Sequence, residues 1–295
     1  MVLIVGANGQ LGWELVQQCR HQGMHLLALD CPGIDIADES SAYSCLAPLP
    51  ARILVNAAAY TAVERAESEP VAAFAVNREG AKNLARYCKE RQIPLIHIST
   101  DYVFDGSKKG AYVEDDPVAP IGVYGRSKEG GEAEVRGLVE SHLIIRTAWL
   151  YGVHGQNFVK TMLKLGRERE TLRVVADQWG CPTYAADLAA AVLKIVGLYL
   201  AGNKIAWGTY HYCGTGETSW HGFSEAIFEL ARKHESLKVK AITPITTSEY
   251  PTPARRPANS VLDCSKIERH FAIRPRPWKE SLTEMIDRLY RHREW

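Results

Sequence analysis

Along the first half of the chain, short apolar runs alternate with longer stretches in which apolar residues recur at helical spacing. The clearest runs are Val2 to Val5, Leu26 to Leu29, Ile53 to Val55, Leu95 to Ile98 and Leu143 to Ile145. Short runs of Val, Ile and Leu are strand signals, and segments of helical period between them are helix signals. The alternation predicts a Rossmann-type α/β fold: a doubly wound parallel sheet with helices on both faces. Strands without a polar face are expected in the middle of such a sheet, where right-handed βαβ crossovers cover them.

Beyond about residue 150 the texture changes. Helical patterns at Phe158 to Arg169, Ala185 to Leu200, Phe223 to Lys233 and Leu282 to Arg291 mix with short strands and Pro-rich stretches such as Tyr250-Pro-Thr-Pro-Ala-Arg-Arg-Pro257. The expected division is a Rossmann domain over residues 1–150 and a smaller mixed C-terminal lobe over 151–295, with later segments free to return to the first. Trp179, Trp207, Trp220 and Trp278 argue that this lobe folds, because disordered segments are poor in such residues.

Composition removes several alternatives. Lys plus Arg total 35 against 34 Asp plus Glu, so no surface built for nucleic acid is expected. The seven cysteines are scattered and never spaced Cys-x-x-Cys, which reads as reduced thiols. His97, His211 and His221 lack zinc-like spacing, and no metal is assigned. The chain enters a strand directly, without a charged and then apolar leader, and no run approaches ~18 apolar residues. A cytoplasmic protein with no membrane partner is the expectation.

Candidate chemistry begins at Gly6-Ala7-Asn8-Gly9-Gln10-Leu11-Gly12, between the first strand and a helical pattern from Trp13 to His21. Three glycines at three-residue spacing let the backbone turn tightly and bring its N–H groups against a pyrophosphate at the helix N-terminus. Asp30 closes the second strand eighteen positions after Gly12, close to the ~20 expected of a carboxylate that binds an adenosine ribose. A carboxylate there favours NADH; NADPH stays open, with no visible clamp for its extra phosphate.

In Tyr124-Gly-Arg-Ser-Lys128 the phenol and the ammonium lie four residues apart, on one face of a helix. An unperturbed phenol has a pKa of ~10, and a nearby cation favours its ionised form. The pair is therefore a candidate general acid for ketone reduction. Thr100 ends the fourth strand in Ile98-Ser99-Thr100-Asp101-Tyr102, twenty-four residues before Tyr124, with Ser99 as the fallback hydroxyl.

The glycine spacing, Thr100, Tyr124 and Lys128 together resemble the extended short-chain dehydrogenase/reductase superfamily. Longer strings are similar to its dTDP-4-dehydrorhamnose reductase branch: Asn56-Ala-Ala-Ala-Tyr-Thr-Ala-Val63, Ala66-Glu-Ser-Glu-Pro70, Ser99-Thr-Asp-Tyr-Val-Phe-Asp-Gly106, Arg146-Thr-Ala-Trp-Leu-Tyr151 and Asp177-Gln-Trp-Gly-Cys-Pro-Thr183. The resemblance implies NADPH- or NADH-dependent reduction of the 4-keto group of a dTDP-6-deoxy-4-hexulose to dTDP-L-rhamnose, as in surface-polysaccharide precursor synthesis. It implies that Tyr124 donates the proton, that Lys128 lowers its pKa and holds the nicotinamide ribose, and that Thr100 orients the carbonyl. Gly6, Asn8, Gly9, Gln10, Leu11, Gly12, Asp30, Asp35, Ile36, Ala57, Ala58, Ala59, Tyr60, Thr61, Asn77 and Ser99 would line the cofactor. Thr100, Asp101, Tyr102, Trp149, Asn157 and Arg256 would face the sugar nucleotide.

Some relatives of that branch pair subunits through a metal held by acidic side chains. Glu14 matches one such position, but Asp187 is displaced by one place, so a homodimer is compatible with the resemblance and a metal bridge is not expected. Two other readings share the fold: an epimerase or dehydratase with bound NAD, and a non-catalytic subunit resembling the regulatory subunit of methionine adenosyltransferase. Asp101-Tyr102, where a dehydratase would carry an acidic pair, argues against the first, and the intact Thr100, Tyr124 and Lys128 argue against the second.

Overall fold

Four apolar residues, Val2–Val5, form β1, all of them buried, and parallel neighbours flank the strand on both edges. The computed structural model describes residues 1–292. After β1 come α1 (Gln10–His21), β2 (Leu26–Leu29), α2 (Glu39–Leu46), β3 (Ile53–Asn56), α3 (Val63–Ala66) and α4 (Pro70–Phe74). A π-helical turn, Ala75–Gly80, leads into α5 (Ala81–Arg91), followed by β4 (Leu95–Thr100), a 3-10 turn (Asp101–Val103), α6 (Val123–Leu138) and β5 (His142–Thr147). The later chain contributes β6 (Leu150–Tyr151), α7 (Phe158–Glu168), β7 (Thr171–Val175), β8 (Trp179–Gly180), β9 (Thr183–Tyr184), α8 (Ala185–Leu200), β10 (Gly208–His211), β11 (Thr218–Ser219), α9 (Trp220–Ala231), β12 (Ala241–Ile245), α10 (Ser265–Phe271) and α11 (Trp278–His292).

The main sheet has six strands in the order β10-β5-β4-β3-β1-β2, and every pairing is parallel. Strand order reverses between β1 and β3, so the loops at their carboxyl ends diverge and open a crevice, the usual ligand site of such sheets. One expectation needs correction here. The apolar run Leu26 to Leu29 was expected mid-sheet, but β2 is the edge strand and its residues are only half-buried. A short apolar run does not report how many neighbours its strand will have.

The sheet draws on both sides of residue 150. β10 pairs with β5 at one edge, and the apolar face of α8 packs with α1, β1 and β3 in one core that also takes Ile267 and Phe271 of α10. A separate core holds α7, α9 and α11 around Phe223, Phe228 and Met285. No helix among the described residues is long and apolar enough to cross a membrane.

Candidate active site

The crevice at the strand reversal is a cleft of about 770 Å³, within the size usual for small-molecule sites. Gly6, Asn8, Gly9, Gln10 and Leu11 form one wall. Gly6 has φ +84, and a Cβ there would collide with the backbone of Ala58, so the turn closes on the end of β3 only because position 6 is glycine. Gly9 precedes α1, and no side chain caps that helix. Gly9, Gln10 and Leu11 at this uncapped helix start line the cleft, a position that suits a phosphate. These features fit a dinucleotide, with Asp30, Asp35, Ile36, Ala57, Ala58, Ala59 and Thr61 completing the same part of the lining.

The second part of the cleft is built by β4, the 3-10 turn and α6. Ser99, Thr100, Asp101, Tyr102, Tyr124 and Lys128 all line it. Thr100 Oγ1 accepts the Tyr102 N–H at 3.2 Å and donates to Asp101 Oδ1 at 2.9 Å. The α6 N-terminus has no side chain of its own to cap it, since Gly122 precedes it. Glu67 supplies the missing acceptor: its Oε1 takes the Val123 N–H at 2.7 Å, one residue before Tyr124. The Tyr102 and Tyr124 rings meet edge to face with centroids 5.4 Å apart.

Burial pushes the Tyr124 phenol up from its ordinary value, while the Thr100 hydroxyl pulls it back and the Asp101 and Tyr102 side chains add to the rise. Tyr124 is therefore protonated at neutral pH, the form a proton donor needs. Burial also pushes the Lys128 ammonium down to about 8, and its Nζ donates to the Ile98 carbonyl at 2.7 Å. The depression of the phenol expected from Lys128 is not what this environment produces: loss of hydration dominates and raises it. Asp101 is raised by burial to about 6.

Trp149 lines the far side of the cleft. Its φ of +48 is uncommon for a bulky side chain, and its ring lies flat on Trp220 with centroids 3.6 Å apart. Asn157 also lines the cleft, but its side chain is already committed. It caps α7 by accepting the Lys160 N–H and donates to Gln10 Oε1 at 3.1 Å and to the Gly152 carbonyl at 2.7 Å.

Four expected residues do not line the cleft. Gly12 packs against the Gly6 carbonyl, where a Cβ would collide. Tyr60 donates its hydroxyl to Glu69, and Asn77 joins the Tyr60 backbone to the Ser127 hydroxyl of α6. Arg256 is paired with Glu64 at 2.6 Å. Glu14, considered as a metal position, is buried and paired with Arg288 at 3.0 Å. Conversely, Val63, Val76, Thr147, Leu150 and Gln156 line the cleft and were not foreseen. Glu67 was visible only as part of the quoted string Ala66 to Pro70. His154, whose Nε2 donates to the Asn8 carbonyl at 2.9 Å and whose ring stacks on Trp13, gave no sign at a separation of 146 residues.

A parallel sheet with a glycine turn at its reversal, and a Tyr and a Lys one helical turn apart beside it, defines an oxidoreductase of the extended short-chain dehydrogenase/reductase class. Within that class the chain belongs to the RmlD substrate binding domain family, whose model matches residues 1–291. A dTDP-4-dehydrorhamnose reductase of Sinorhizobium fredii is 45% identical over 284 residues, covering 96% of this chain and 95% of the relative. The crystal structure of a dTDP-4-dehydrorhamnose reductase from Clostridium acetobutylicum superposes with a TM-score of 0.91 at 40% identity, over 98% of this chain and 99% of that one. That of the Bacillus anthracis enzyme in complex with NADP superposes with a TM-score of 0.90 at 38% identity, over 97% and 98% of the two chains.

Proposed function

We propose that this protein reduces the 4-keto group of a dTDP-6-deoxy-4-hexulose to give dTDP-L-rhamnose, with NADPH or NADH as the reductant. The observation that carries the reading is the meeting of Thr100, Tyr124 and Lys128 in the same cleft as the Gly6–Leu11 turn. Near-complete coverage by relatives named for this reaction supports the sugar.

The nicotinamide, when bound, supplies the hydride that reaches the carbonyl carbon. Tyr124 gives its phenolic proton to the carbonyl oxygen as the C–O π bond breaks, and Thr100 holds that oxygen in line. Lys128 stabilises the phenolate left behind, with its ammonium held in place by the Ile98 carbonyl. Asp30 would face the adenosine ribose, and the α1 N-terminus would take the pyrophosphate. Trp149, backed by Trp220, would offer a flat surface to the apolar side of the deoxysugar.

We assign the dinucleotide to residues 1–150, joined by the returning α8 and β10, and the sugar nucleotide to the space between Thr100 and Trp149 on that side and the remainder of 151–295 on the other. The deciding experiment supplies dTDP-4-keto-6-deoxyglucose, the matching 3,5-epimerase and either reduced cofactor, and identifies the product. Stoichiometric cofactor oxidation with formation of dTDP-L-rhamnose is expected. A protein purified with tightly held NAD that returns an isomerised sugar without net oxidation would overturn the reading.

A further inference from the structure

On the same face of α6 as the proton-transfer pair sits a carboxylate with no part in the chemistry above. Glu132 follows Lys128 by four residues and Tyr124 by eight, so the three side chains stack along one side of the helix. Its side chain is 0% exposed, as the Arg146 side chain facing it is nearly so at 4%. Arg146 donates from Nη2 to Oε2 at 2.7 Å and from Nε to Oε1 at 2.9 Å. Ser99 donates its hydroxyl to Oε1 at 2.5 Å, and Arg136 reaches Oε2 from the helix surface at 2.8 Å. Burial pushes this carboxyl up, but the Arg146, Ser99 and Arg136 contacts outweigh it and hold the group below the ordinary carboxylate range.

Ser99 and Arg146 are register partners across β4 and β5. The network thus binds two strands and one helix at the level where β4 delivers Thr100 and α6 delivers Lys128. Burying such a pair is a poor way to gain stability, since apolar replacements of similar volume often do as well or better. Its value therefore lies in what it does to its neighbours.

We propose that Glu132 is a positioning residue for the proton-transfer pair: anchored by Ser99 and Arg146, it sets the register of α6 against the end of β4 and keeps Lys128 cationic. The proposal rests on the reading of Tyr124 and Lys128 given above. Glu132 is the charge that opposes the effect of burial on Lys128. Other titratable groups near the pair do not take that part. His97 on β4 is held neutral by burial and bonds to Asn56, Arg146 on β5 is a cation, and Tyr124 on α6 is protonated. His142 at the start of β5 is also lowered by burial.

The test is the pH dependence of kcat in the full-length protein, with dTDP-keto-sugar and reduced cofactor at saturation. Turnover that needs a cationic Lys128 declines as pH rises through the lysine's titration. In Glu132→Gln that decline should move to lower pH by about one unit, with both KM values within about twofold of the parent. Glu132→Met combined with Arg146→Met removes both charges without stranding either, and should move it in the same direction. Arg136→Gln alters only the half-exposed partner, so it reads the same charge without touching the core and should move the decline the opposite way.

A decline that stays in place in whichever of these variants fold, even with kcat lowered, would reduce Glu132 to a structural strut and overturn the proposal. Tyr124→Phe is measured alongside. If it keeps full activity, the reading beneath the proposal fails; if it is inactive while the pH profiles do not move, only the role of Glu132 fails.

Discussion

Asp30 Oδ2 accepts the backbone N–H of Asn8 at 2.6 Å, and its Oδ1 accepts that of Cys31 at 2.7 Å. The residue expected to read the cofactor ribose therefore also braces the glycine turn to which we assign the pyrophosphate. Asp30→Ala should weaken binding of both cofactors through the loosened turn. It should also shift the ratio of kcat/KM toward NADPH by roughly tenfold, because a carboxylate that would repel a 2′-phosphate is gone. An unchanged ratio in steady-state assays would show that Asp30 braces the turn and nothing more.

Tyr124→Phe removes the transferable proton and little else, since the ring still packs edge to face on Tyr102. We expect kcat to fall by roughly 10² to 10⁴, with the dinucleotide Kd unchanged by calorimetric titration. Activity within a few-fold of the parent would assign the proton to another group.

Lys128 exchanges stability for function. Its pKa is depressed from 10.5 to about 8 by burial. Below pH 8 the side chain is charged in both the folded and unfolded chains, and the fold carries the whole cost of burying it. Between pH 8 and 10.5 the unfolded chain holds more protons, so this residue's contribution to stability rises with pH. Lys128→Met should therefore abolish turnover yet stabilise the fold at pH 7 by about 1 to 3 kcal/mol, a gain that shrinks toward pH 10. Denaturant melts of the two proteins across that range check the sign, and a destabilised variant at pH 7 contradicts it.

Gly180 lies under Trp149, and a Cβ there would come within 2.5 Å of ring atom Cε2. Gly180→Ala should tilt the indole away from Trp220, at an overpacking cost of about 1 to 3 kcal/mol. The expected signature is selective: KM for the sugar nucleotide rises about tenfold while the dinucleotide Kd holds. Parallel loss of both would mean that the two ligands do not occupy separate parts of the cleft.

Period and spacing along the chain were enough to place β1, the Gly6–Gly12 turn, Asp30 and the Tyr124–Lys128 pair, because each is local: a strand, a turn or one helical turn carries its own pattern. The edge position of β2, the return of α8 and β10 to the sheet, and the occupation of Arg256 by Glu64 have no such pattern. They depend on which neighbours remain after packing. Protonation divides in the same way. Tyr124 and Lys128 are legible as an acid pair from their residue types, but the direction in which each titration moves follows from burial, a property of the whole fold.

By itself, then, the sequence determined five of the sheet's six strands, the glycine turn and the candidate reacting groups, since these follow from patterns within a few residues. Only the tertiary structure decided which groups face the cleft and in what charge state. Desolvation and pairing there arise between residues such as Ser99, Glu132 and Arg146, which lie far apart in the chain and meet only when three elements pack together.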